Sequence, residues 1–141
     1  MPPSDPELLR WALKWLRKAD KDLALDEAVA HEPYHYDSLA YHCQQAAEKY
    51  FKAALVAHGA LPVFTHNLRV LLEELEKYQR VADDYCLAAQ QLNPFSVLNR
   101  YPQDDETEPP AALLLTLAQS LRDWLRPELA EMTAAGPYPT Q

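Results

Sequence analysis

The residues best able to do chemistry lie between positions 42 and 52. His42, Gln45, Lys49 and Lys52 recur at intervals of three, four and three, which puts them on one face of a helix. Two ammonium groups, an imidazole and an amide in a row suit an anion, a nucleotide or the acidic side chains of a partner. The same pattern also describes an ordinary solvated helix face. Gln44 and Glu48 lie beside the stripe. A second group is Asn99-Arg-Tyr-Pro102 followed by Gln103-Asp-Asp-Glu106. There Arg100 can clamp a phosphate while Tyr101 stacks on a base. Alternatively, Tyr101 plugs the end of a bundle and Arg100 pairs with Asp104. A third group is Thr65-His-Asn-Leu68. His66 at a helix N-terminus would be held neutral by the dipole and could hydrogen-bond an anion, or it is a plain surface or capping histidine.

Other chemistries find no residues to carry them. His31 and His35 are four apart, but Pro33 between them spoils a helical pair of metal ligands. No Gly-x-Ser-x-Gly motif is present, and although His31-Glu-Pro-Tyr-His35 has the letters of His-Glu-x-x-His, Pro33 inside it denies the continuous helical turn that this zinc motif needs. Cys43 follows His42 directly, and adjacent helical residues point apart, so a cysteine nucleophile is not expected there. With only two glycines, Gly59 and Gly136, the chain cannot build a glycine-rich phosphate loop or a dinucleotide fingerprint. No cofactor and no metal is expected. A formal charge of −8 argues against broad binding to nucleic acid or to an anionic membrane, though not against a local basic groove. Cys43 and Cys86 read as isolated free thiols, and no leader or membrane-spanning stretch is evident, so a reduced cytoplasmic setting is expected.

The elements that position these residues are marked by proline. In 141 residues there are twelve prolines, and the proline-free stretches between them are candidate helices. At 48% hydrophobic and 24% charged residues, the composition is that of a globular domain able to bury a core. A first helix is expected from about Asp5 to Val29, with a Ser4–Glu7 capping box and an apolar stripe of Leu8, Trp11, Ala12, Trp15, Ala19 and Leu23. A second runs from Asp37 to His58 and is closed by Gly59. Its apolar face is Leu39, Cys43, Ala46, Ala47, Tyr50, Ala54 and Leu55. Thr65 is the expected N-cap of a third helix through Leu75, with a kink or loop near Tyr78 to Ala82. A fourth covers Asp83 to Leu92. Asn93 to Pro110 reads as a long loop, of the kind that often carries a role. The last helix runs from Pro110 to Glu131, kinked or ended early by Pro127. The expected fold is all-α, an up-and-down bundle of four to five helices forming one domain over residues 1–132, with residues 133–141 as a disordered tail.

Three segments in this order resemble the HEPN domain: Tyr41-His-Cys-Gln-Gln-Ala-Ala-Glu-Lys-Tyr-Phe-Lys-Ala53, Thr65-His-Asn-Leu68 and Arg100-Tyr-Pro102. HEPN domains are small helical bundles similar to the C-terminal domain of kanamycin nucleotidyltransferase. The resemblance spans about Leu8 to Leu129. It implies a bundle that pairs with itself as a homodimer. It also implies a minimal nucleotidyltransferase from a neighbouring gene as partner, for which this chain would be the substrate- or nucleotide-binding subunit, in an arrangement like a toxin–antitoxin pair. Other members are metal-independent ribonucleases that carry Arg, four to six residues, then His. Here the positions that follow Arg100 at that distance hold Asp105, Glu106 and Thr107. The chain thus resembles the branch without the nuclease signature. The expected function is a non-catalytic binding module that uses His42, Gln45, Lys49, Lys52, His66, Arg100 and Tyr101. The alternatives are a ribonuclease or toxin and a purely structural oligomerisation bundle.

Overall fold

The computed structural model describes residues 5–61, 63–97 and 108–134. Among them are five α-helices and no strand: α1 (Pro6–Ala28), α2 (Tyr36–Ala57), α3 (Leu68–Glu76), α4 (Asp83–Leu92) and α5 (Ala111–Ala134). Short 3-10 turns cover Pro33–His35 and Asn93–Phe95. The fold is an all-α helical bundle. No helix among the described residues is long and apolar enough to cross a membrane.

The second helix is the axis of the bundle and packs on all four of the others. Its sequence explains this position. Ala40, Ala46, Ala47, Ala53, Ala54 and Ala57 are all buried. Alanine is the best helix former and lets neighbouring helices approach closely on several sides. Tyr50 and Phe51 fill the space between the alanines and are fully buried. All seven residues expected on the apolar face of α2 are buried. Its end is also as expected. Gly59 takes φ 80°, its N–H donates to Val56 O, and the Ala60 N–H donates to Leu55 O. This closing turn needs a residue free of the Cβ penalty at positive φ.

The other helices supply leucines to the same core: Leu16 and Leu23 from α1, Leu68, Leu71 and Leu75 from α3, Leu92 from α4, and Leu114, Leu121, Leu125 and Leu129 from α5. Within α1, α3 and α5 they recur at helical spacing.

Four expectations need correction. The N-cap of α1 is Asp5, whose carboxylate accepts the Glu7 N–H at 2.9 Å; Ser4 lies outside the described residues. Ala12, Ala19 and Leu23 of the expected stripe are buried, but Leu8 and Trp11 are not, Trp15 packs against the core only in part, and the buried face is completed by Leu9 and Leu16. The N-cap of α3 is Asn67, whose side-chain oxygen accepts the Arg69 N–H at 3.0 Å and the Val70 N–H at 3.4 Å. Thr65 stands two residues earlier, where its hydroxyl accepts the Asn67 N–H. Finally, α5 runs through Pro127. That proline is on the exposed side, where the carbonyl four residues back can turn to water. The buried Leu125 and Leu129 hold the helix on either side of it.

Asn93, expected only to end α4, also ties the bundle together. Its side-chain oxygen accepts the Leu68 N–H at 2.8 Å, and its amide donates to Asn67 Oδ1 at 3.2 Å. Two asparagines from different elements therefore satisfy the first N–H groups of α3, which no intrahelical carbonyl can reach.

Candidate functional site

The polar face of α2 is not a free cationic groove. It packs against α1 and the connection before α3, and its groups are already paired around two carboxylates. Asp22 of α1 accepts from Lys49 Nζ through Oδ2 and meets His42 Nδ1 at 3.2 Å through Oδ1. Glu48, itself nearly buried, accepts from Lys52 Nζ at 3.1 Å through Oε2 and meets His66 Nδ1 at 2.8 Å through Oε1. Gln45 donates to Gln44 Oε1 at 2.9 Å, and the buried Gln44 passes the chain of bonds on to His66 O at 2.8 Å. The stripe thus divides into an Asp22 cluster with His42 and Lys49, and a Glu48 cluster with Lys52 and His66. Arg100 and Tyr101 lie outside the described residues.

The N-terminal helix dipole is not the partner of His66. The residue precedes the N-cap of α3, and its Nδ1 faces Glu48 instead. Its side chain is 72% exposed, so a buried carboxylate orients an imidazole whose Nε2 is left for solvent or a ligand. This arrangement is able to move a proton.

A third acidic residue stands in the seam between α1 and α2. Asp26 has no solvent exposure, and neither carboxyl oxygen has a hydrogen-bond partner among the described residues. Burial pushes its pKa up to about 8; the nearby Cys43 thiol opposes that rise, and the Asp22 and Glu27 carboxylates add to it. Asp26 is therefore mainly protonated at neutral pH. Burial, then the Asp26 charge, also pushes the Cys43 thiol far up, so it stays a thiol and does not act as a nucleophile. Asp20 completes the seam. It accepts from Tyr50 Oη at 2.6 Å and from Arg126 Nη2 at 3.1 Å, joining α1, α2 and α5.

The sequence reading passed over Asp22 and Asp26, although each had a signal. The buried positions Ala12, Leu16, Ala19 and Leu23 continue at the same spacing to Asp26, a carboxyl in a core register. His42 and Lys49 are two turns apart on α2, which leaves room for one facing carboxylate between them.

Other concavities lie away from this face: one of about 700 Å³ beside Asn67, Arg69, Glu73 and Asn93, one of about 430 Å³ beside Asp20, Tyr50 and Arg126, and an apolar one at the end of the bundle. This last groove, of about 370 Å³, opens where the first half of α1 meets the end of α2 and the connection after Gly59. Its walls include Trp11, Trp15, Leu55, Val56, Val63 and Phe64, and Lys52 is the only charged lining residue among those described.

The described residues form an all-α bundle threaded on one alanine-rich helix, with a buried acidic seam between α1 and α2. The chain belongs to the HEPN domain family, whose model matches residues 12–128. It is similar to a solved structure, that of TT1696 from Thermus thermophilus, at 27% identity and a TM-score of 0.61, covering 87% of this chain and 96% of that one. No curated protein sequence matches it.

Proposed function

We propose that this HEPN chain is a non-catalytic binding and interaction module. It works as a homodimer and as the substrate- or nucleotide-binding subunit of a small nucleotidyltransferase encoded nearby, in an arrangement like a toxin–antitoxin pair. The observation that supports a non-catalytic role is the pairing of the α2 face. Lys49 and Lys52, the cations best placed to hold a phosphate, are bonded to Asp22 and Glu48. Either lysine would have to share or exchange that carboxylate to hold a ligand, at a cost in desolvation. Of the candidate residues, His42, Gln45 and Lys49 then chiefly shape the α1–α2 seam, while Lys52, His66, Arg100 and Tyr101 meet the nucleotide or partner. The test is to read the neighbouring genes and to co-express the chain with any small nucleotidyltransferase that they encode. A stable complex is expected, together with calorimetric binding of ATP that requires both chains. A chain that purifies alone, neither pairs with itself nor binds nucleotide, and ignores that partner would overturn the reading.

One observation favours a second reading, that of a metal-independent ribonuclease. Glu48 orients His66 much as a carboxylate orients a general base. If Arg100 meets the scissile phosphate, purified protein should cleave RNA, with loss of activity in His66→Ala and partial loss in Glu48→Gln. RNA left intact by the purified protein rejects this reading.

A further inference from the structure

The large apolar side chains of this protein are not exposed at random. Trp11 is 54% exposed and Phe64 is 95% exposed, and both line the groove at the end of the bundle. Leu61, in the same wall, is also exposed. Apolar groups gathered around a concavity mark a binding surface more reliably than scattered ones. The groove is also within the size range of small-molecule sites, which are largely apolar with a few placed polar groups.

The single charge indicates what fills it. Lys52 Nζ lies 5.3 Å from the Trp15 ring centroid and gives one N–H to Glu48. An ammonium has three donors, so two remain for a ligand. Lys14 Nζ lies 4.6 Å from the Trp11 ring centroid on the same helix. The groove is therefore aromatic and aliphatic with one ammonium, Lys52, at its wall, since Lys14 is not among the lining residues. A small anion with a flat apolar body meets both features.

We propose that this groove binds a compact aromatic carboxylate, its ring between Trp11, Trp15 and Phe64 and its carboxylate on the Lys52 ammonium. The flat indole and phenyl walls favour an aromatic ring over an alkyl chain, because offset and edge contacts add to area burial. The charge-assisted bond to Lys52 selects the anion over its neutral analogue. The site does not depend on a nucleotidyltransferase partner.

The experiment uses the full chain labelled for nuclear magnetic resonance, with naphthoate as probe and the neutral naphthamide as its control. Of the three tryptophans, Trp124 stacks on Tyr85 at 4.2 Å outside the groove. Naphthoate should shift the Trp11 and Trp15 indole signals and leave Trp124 in place. It should bind about tenfold more tightly than naphthamide, the ratio expected for one charge-assisted hydrogen bond. Lys52→Gln should remove that preference, and Lys52→Arg should restore it. Phe64→Ser, at a side chain that touches little of the core, should weaken both probes without lowering the melting temperature. No shift at millimolar naphthoate overturns the proposal, as do equal affinities for the two probes or shifts centred on Trp124. Sedimentation showing that Trp11→Ser dissolves a dimer would assign the groove to a second copy and overturn it too.

Discussion

The first two helices treat their two halves in opposite ways. In the second half of α1, Asp20, Asp22 and Asp26 face Tyr50, Lys49, His42 and Cys43 of α2; Asp22 and Asp26 are largely closed off from water, while a cavity opens beside Asp20 and Tyr50. In the first half, Trp11 and Trp15 face the end of α2 across an open groove. Carboxyl groups are thus closed in along one half while Trp11 stands half in water along the other, the reverse of the ordinary arrangement for these residue types. A buried carboxylate is tolerated when it is paired, as Asp22 is, or protonated, as Asp26 is. An exposed tryptophan persists without harm to folding, but it leaves a surface that water covers poorly. If the groove is the recognition surface proposed above, stability resides in the seam and recognition in the groove, and substitutions should separate the two.

The largest effect is expected at Asp26. Its folded pKa near 8 lies above the ordinary carboxylate value, so the folded state holds a proton that the unfolded state has lost. Its contribution to stability is complete below about pH 4 and declines as pH rises through the folded pKa near 8. Asp26→Asn should flatten that decline and be more stable than the parent at pH 9, by on the order of 3–5 kcal/mol, with little difference at pH 3. Urea melts across that range check it. Equal pH profiles for the two proteins would show that Asp26 reaches water.

Next is Lys49→Met, which leaves Asp22 with His42 alone. A loss of about 1–3 kcal/mol is expected, and a double-mutant cycle with Asp22→Asn should recover part of it. Asn93→Ala should cost about 1 kcal/mol by uncovering the Leu68 N–H and one partner of Asn67. The smallest effect belongs to the groove. Trp11→Ser should stay within about 0.5 kcal/mol of the parent while weakening naphthoate. A large loss of stability there would erase the contrast between the two regions.

Much of the fold could be read from the sequence because its signals are local. Prolines and Gly59 bracket the helices, and the face of α2 could be assigned because alanine, cysteine and tyrosine recur together. α1 was harder, for a physical reason. Two stripes run side by side, Leu9-Ala12-Leu16-Ala19-Leu23 and Leu8-Trp11-Trp15, and both obey helical spacing. The bulk of tryptophan draws Trp11 and Trp15 into the expected stripe beside Ala12, Ala19 and Leu23 and leaves out Leu9 and Leu16, because only the shape of α2 decides which residues fit. The small residues Ala12 and Ala19 pack close to the alanines of α2, and the rings are displaced to the rim. The same holds for the polar stripe. Spacing puts His42, Gln45, Lys49 and Lys52 on one face and Glu48 four residues before Lys52, but Asp22 as the partner of His42 and Lys49 depends on how α1 docks on α2. Cross-helix pairs leave no mark in local periodicity.

The central place of α2 has a consequence for how the chain is made. Its partner α5 begins at Ala111, more than fifty residues after α2 ends at Ala57. At ribosomal speeds of about 5–20 residues per second, that interval lasts roughly 3–11 s. Until α5 emerges, the side of Tyr50 and Ala54 that it covers stays bare, and Asp20 lacks Arg126. The nascent chain thus carries an uncovered alanine-rich face for seconds, and closure of the bundle is a late, long-range event set by the rate of translation rather than by the rate at which helices form.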